Sequence, residues 1–190
     1  METTQIKMKY SIIFFFLANF ICATCYSQDV ASRILEIKKM YAEVIKLSKS
    51  NISKQCKKGK MTSYEGGFEI GTIEWGRSRV DQTAERCHIS KDYTTYNAKF
   101  SGHEWDSDEI YYLKNNKIFF VFMSTWAEGC IYKYRVYYDL NENIIKILMK
   151  SNDCGGDSHL NSSEIKDKAE MKRIYNDINS DFNKVLRMVK

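Results

Sequence analysis

Proline is absent from this 190-residue chain, and glycine is scarce, at nine. No Pro- or Gly-rich linker divides it and no internal repeat is visible, so everything after the N-terminal segment reads as one domain of ordinary size. Also missing are G-x-S-x-G, H-E-x-x-H, a Walker phosphate loop and a dinucleotide-binding glycine run. Without them no catalytic residue and no cofactor is assigned. Cys56, Cys87, Cys130 and Cys154 are too widely spaced for the C-x2-4-C pairs of a structural zinc site, so no metal is expected. The net charge is only +5 with both signs interspersed, which gives solubility and no nucleic-acid footprint.

No apolar run reaches the roughly 20 residues that a membrane helix needs. What is present at the start is shorter. Lys7 and Lys9 precede the uncharged run 11–23, and Cys25-Tyr26-Ser27 then offers small side chains where a signal peptidase reads. Residues 1–27 are therefore expected to be a cleaved secretory signal peptide. Residues 28–190 are the exported domain, secreted or periplasmic, with no transmembrane segment. A lipid anchor on Cys25 is the alternative.

Four cysteines in an exported domain point to two disulfides. The stretches 131–140 and 144–150 read as strands of one hairpin, closed by Asn141-Glu142-Asn143 with Asn143 left-handed. In that register Leu140 faces Ile144, and continuing it outward sets Cys130 opposite Cys154. Cys56–Cys87 follows by elimination.

Apolar residues at Val30, Ile34, Ile37, Tyr41, Val44 and Ile45 form a helical stripe over 29–47. Residues 48–60 are lysine-rich and read as a solvated loop, or as a patch for anionic glycans or lipid headgroups. From Phe68 the period changes to two, predicting strands at 68–75, 93–100, 110–113 and 117–123. Asn115-Asn116 suits a type I′ turn between the last two of these. Asn161 with Glu164 is the expected helix cap, and the stripe Ile165, Ala169, Met171, Ile174, Ile178, Phe182, Val185 and Val189 is the final helix. The expected fold is α+β: an N-terminal helix, an antiparallel meander of five or six strands, and a C-terminal helix packed on the sheet.

Two functions suit this frame. The first is a non-catalytic binding or inhibitor-like module, with Tyr132, Tyr134, Tyr137, Trp126 and Trp105 as candidate contact residues for a protein or glycan outside the cytosol. Tyrosine on a sheet face offers large contact area at low entropic cost. The alternative is a small exported hydrolase drawing on His103, Glu104, Asp106 and Asp108, whose grouped carboxylates and imidazole suit acid–base chemistry.

Overall fold

A computed structural model of the chain describes residues 29–50, 55–65, 69–70, 73–74, 78–127, 129–152 and 160–190. The expected signal peptide, Cys25 and Cys154 lie outside the described residues. Two compact units are distinguished, 1–39 and 40–190. The described part of the first is helical and carries an Arg33–Glu36 ion pair of 2.6 Å.

Helix α1 covers residues 29–49. Among the described residues ten strands follow: β1 (Gln55–Glu65), β2 (Glu69–Ile70), β3 (Ile73–Glu74), β4 (Ser78–His88), β5 (Tyr93–Ser101), β6 (Trp105–Lys114), β7 (Lys117–Ala127), β8 (Cys130–Tyr138), β9 (Ile144–Asn152) and β10 (Leu160–Ile165). Helix α2 (Lys168–Met188) closes the fold. The α+β class is as expected, but the sheet is larger: eight antiparallel strands in the order β1-β4-β5-β6-β7-β8-β9-β10. The single strand expected at 68–75 is instead a separate hairpin of β2 and β3. The lysine-rich "loop" is in part β1, an edge strand whose charged outer residues deter pairing with another chain.

Parity along each strand assigns side chains to two faces. On the inner face, Tyr96, Tyr111, Val121, Val136 and Ile147 meet Ile174, Ile178 and Val185 of α2 in one buried cluster. Helix α2 comes closest to β1, β4 and β9, near both sheet edges. It stands off the central strands by the depth of Phe182, whose ring lies 5.2 Å from Tyr96 and 4.7 Å from Tyr111. At the β1 end the helix touches backbone: a Cβ on Gly59 would lie 1.9 Å from the Met188 carbonyl oxygen. On the outer face, Tyr41 of α1 meets Tyr112 and Phe120 edge-on at 5.2 and 5.4 Å, and the Tyr93 hydroxyl donates to Glu43 at 2.8 Å. Strand β7 is thus covered from both sides over Ile118–Val121, all four of them buried, which explains the start of its unbroken apolar run.

The β6–β7 turn is as expected, with Asn115 and Asn116 at φ 50° and 63°. Two local expectations are corrected. Asp139, not Asn143, organises the β8–β9 connection: its carboxylate accepts from the Asn141 and Asn143 amides, both at 2.8 Å, and the positive φ of 63° falls on Glu142. The strands consequently stop at Tyr138 and restart at Ile144, and the register carries Tyr132 opposite Ser151. This is one residue short of the register in which Leu140 faces Ile144. The cap of α2 is Asp167, whose carboxylate accepts from the Glu170 amide at 2.8 Å, while Asn161 sits in β10.

Cys56 and Cys87 are direct cross-strand partners on β1 and β4 and are bonded, with Cα atoms 4.1 Å apart. Cys130 is also in a disulfide, and the cysteines left to partner it, Cys22, Cys25 and Cys154, all lie outside the described residues. Disulfides suggest an oxidising, non-cytosolic compartment. Among the described residues no helix is long and apolar enough to cross a membrane.

Candidate functional site: a cleft between α2 and strands β7 and β8

Tyr132 and Tyr134 alternate with Lys133 and Arg135 on β8, so both rings fall on the inner face. Met123 and Thr125 do the same on β7, because Met123 pairs with Tyr134 and Thr125 with Tyr132. The first turns of α2 bring Arg173, Ile174 and Asp177 above them. Together these seven residues line a cleft of 240 Å³. It has an apolar wall from Met123 and Ile174, two tyrosine rings, and one charge of each sign.

The polar groups are held in place from α2 itself. Arg173 donates to Glu170 at 2.7 and 3.2 Å and to Asp177 at 3.3 Å. Its bond to the Glu170 carboxylate stabilises the charged guanidinium and raises its pKa further. The Tyr134 hydroxyl is pushed above the usual phenol range, first by burial. It is therefore a neutral donor at any physiological pH.

Behind the cleft lies a buried acid. Glu109 of β6 is 2% exposed. Its carboxylate accepts from the Tyr111 hydroxyl and, at 3.4 Å, from Ser107 Oγ. Burial raises its pKa to about 7, with Asp181 of α2 adding to the rise and Lys184 opposing it. Ser107 Oγ is also 3.2 Å from Thr125 Oγ1. A chain of polar contacts thus runs from the cleft wall at Thr125 through Ser107 and Glu109 to Tyr111.

The residues singled out from sequence are divided by the sheet. Tyr132 and Tyr134 line the cleft. Tyr137 is buried on the opposite face, its ring 5.2 Å from Phe120. Trp126 is also on the outer face, 45% exposed. Trp105 packs against the inner core, its indole lying over Gly102, where a Cβ would come within 2.3 Å of Nε1. His103 and Glu104 lie in the bend before β6, whereas Asp106 and Asp108 are on the strand itself. Asp106 and Asp108 point outward, Asp106 accepting from Ser101 Oγ at 2.5 Å and Asp108 pairing with Lys99 at 3.0 Å. Neither they nor His103 or Glu104 line the cleft.

Sequence reading missed Thr125, Arg173, Asp177 and Glu109. Arg173 and Asp177 sit on the polar side of an amphipathic helix and look solvated. Glu109 does leave a trace: it occupies the inward position in the period-two run Ser107, Glu109, Tyr111, Leu113, where an apolar residue is expected.

No protein-family model matches this chain, and no curated protein or solved structure matches it either.

Proposed function

We propose that this protein is an exported binding module, and that its recognition site is the cleft between α2 and strands β7 and β8. What supports the reading is the convergence of Tyr132 and Tyr134 with Arg173, Asp177 and Thr125 around one 240 Å³ space. That volume is below the roughly 300–1,000 Å³ of sites for larger ligands, so it suits a single ring. The chemistry suits a polyhydroxylated one. Tyrosine rings cover the apolar face of a sugar, while a guanidinium, a carboxylate and a threonine hydroxyl exchange hydrogen bonds with its hydroxyls. The bound group is then a terminal sugar of a glycan outside the cytosol. Binding is preferred over hydrolysis because Asp106 and Asp108 face away from this cleft and are engaged by Ser101 and Lys99.

The test is a glycan-array screen of the chain from Gln28, followed by calorimetry on the best hit. Tyr134→Ala and Arg173→Ala should each weaken binding at least tenfold with the circular dichroism spectrum retained. Absence of any hit, or a hit whose affinity ignores both substitutions, would overturn the reading.

A further inference from the structure

The outer face of the sheet carries a second feature, independent of the cleft. Following the pairing register strand by strand, one lateral row crosses all eight strands: Lys60, Thr83, Lys99, Asp108, Ser124, Lys133, Lys150 and Ser162. Directly paired residues share a face, so this row is continuous on the outside. It holds four lysines against one aspartate, and that aspartate pairs with Lys99 at 3.0 Å.

Lys133 and Lys150 are direct cross-strand neighbours, an arrangement that like charges disfavour. Arg135 adds a further cation on the same face of β8. Among the described residues no carboxylate pairs with Lys60, Lys133, Arg135 or Lys150. At the other end the row enters a 620 Å³ cleft lined by Lys58, Lys60, Thr83, Glu85, Asn97 and Lys99. Trp126, 45% exposed, lies beside the row two residues along β7 from Ser124.

We propose that this row is a binding track for an acidic polysaccharide, a chain of sugars bearing carboxylate or sulfate groups. Strands spaced about 4.8 Å apart make the row roughly 34 Å long, the reach of an extended polymer and far more than a free small anion or one headgroup covers. The lysines are spread in a line, which suits charges that recur along a chain. Trp126 offers an indole face to a sugar ring at the edge of the track.

A membrane surface fits less well, because the row crosses the middle of a sheet face and the eight residues of the row are all polar, with none to enter a bilayer. Single-stranded nucleic acid uses successive aromatic platforms, and here one tryptophan flanks the row.

The experiment uses the chain from Gln28 and three probes: polygalacturonate, vesicles containing phosphatidylglycerol, and a single-stranded oligonucleotide, with neutral dextran as control. Polygalacturonate should bind, with affinity falling at least tenfold between 50 and 300 mM salt. The pairs Lys133→Gln with Lys150→Gln and Lys60→Gln with Lys99→Gln should each weaken binding by tenfold or more, and Trp126→Ala by several-fold. The same loss of charge at Lys166 and Lys172, beside and on α2, should change affinity less than twofold. If the Gln variants misfold, the Lys→Arg pairs should fold and retain affinity, and the salt response of the unaltered chain still applies. The proposal is overturned if polygalacturonate does not bind, if vesicles or the oligonucleotide bind more tightly than it does, or if the Lys166 and Lys172 changes matter as much as those in the row.

Discussion

Glu109 and Tyr111 stand two residues apart on the inner face of β6, and the Tyr111 hydroxyl donates to the Glu109 carboxylate beneath α2. This places a titratable acid at the centre of the sheet–helix interface, with Asp181 and Lys184 of α2 and Ser107 of β6 as its other neighbours. An apolar residue at 109 would fill the same space without a desolvation cost.

The acid makes stability depend on pH in a defined direction. Burial raises the folded-state pKa to about 7 from an ordinary value of 4.5. The folded protein therefore holds this proton more tightly than the unfolded chain, and stability falls as pH rises from about 4.5, the loss being complete above about 7. The upper bound is on the order of 3 kcal/mol. The urea midpoint should drop between pH 5 and pH 8, and Glu109→Gln should flatten that drop. An equal drop in the variant would show that other groups cause it.

The Cys56–Cys87 bridge ties edge strand β1 to β4 across a sequence separation of 31 residues. Closing a loop of that length restricts the unfolded chain by about 3–4 kcal/mol. Replacing both cysteines with alanine should lower stability by about that amount. Because β1 has only one neighbour in the sheet, its amides should lose hydrogen-exchange protection before those of β6 and β7. Uniform loss of protection across the sheet would contradict this.

Much of the fold was legible because burial leaves a period. Strands β5, β6 and β7 alternate or run apolar, Asn115-Asn116 is turn chemistry written in two residues, and Ile174, Ile178 and Val185 keep helical spacing. Strand β1 was illegible for the opposite reason. It is an edge, and Lys57, Lys58, Gly59 and Lys60 carry none of the apolar alternation that marks a half-buried strand. The β8–β9 register was misread because the side chain of Asp139, not a left-handed Asn143, forms the connection, and a shift at Tyr137/Tyr138 moves the pairing by one. For the candidate site, Tyr132 and Tyr134 stood out as strand aromatics. Parity alone separates them from Tyr137. Arg173 and Asp177 acquire meaning only when α2 is laid across β7 and β8.

Gly59 is where the end of α2 meets the sheet backbone. The missing Cβ leaves room for the Met188 carbonyl, which would otherwise sit 1.9 Å away. Backbone cannot move aside as a flexible side chain can, so Gly59→Ala should displace the last turn of α2 from β1. The cost should fall in the 1–3 kcal/mol typical of overpacking. The contact of Lys57 with the Lys190 carbonyl should be lost with it. Thermal melts of the variant check the first expectation, and exchange protection at Val185 to Val189 checks the second. A melting temperature within a degree of the parent would mean that the helix end is not held at β1.

Cys130 is in a disulfide whose partner lies outside the described residues, and we expect that partner to be Cys154. The β8–β9 hairpin brings the chain back to Cys130 at its open end, where the Ile131 amide donates to the Asn152 side chain at 2.5 Å. Cys154 follows Asn152 by two residues, and the described register ends with Tyr132 opposite Ser151. Gly129, next to Cys130, adopts φ 81°, a conformation other residues rarely hold, and gives that end of the hairpin room to adjust. Cys22 and Cys25 are the competitors, and both fall within the segment expected to be cleaved on export. Peptide mapping of the protein under non-reducing conditions should recover one peptide pair joining Cys130 to Cys154. Selective loss of that bridge by Cys154→Ser should increase exchange at Ile131 to Lys133 while leaving β5 to β7 protected. A mapped bond from Cys130 to Cys22 or Cys25 would overturn both the pairing and the position of the cleavage site.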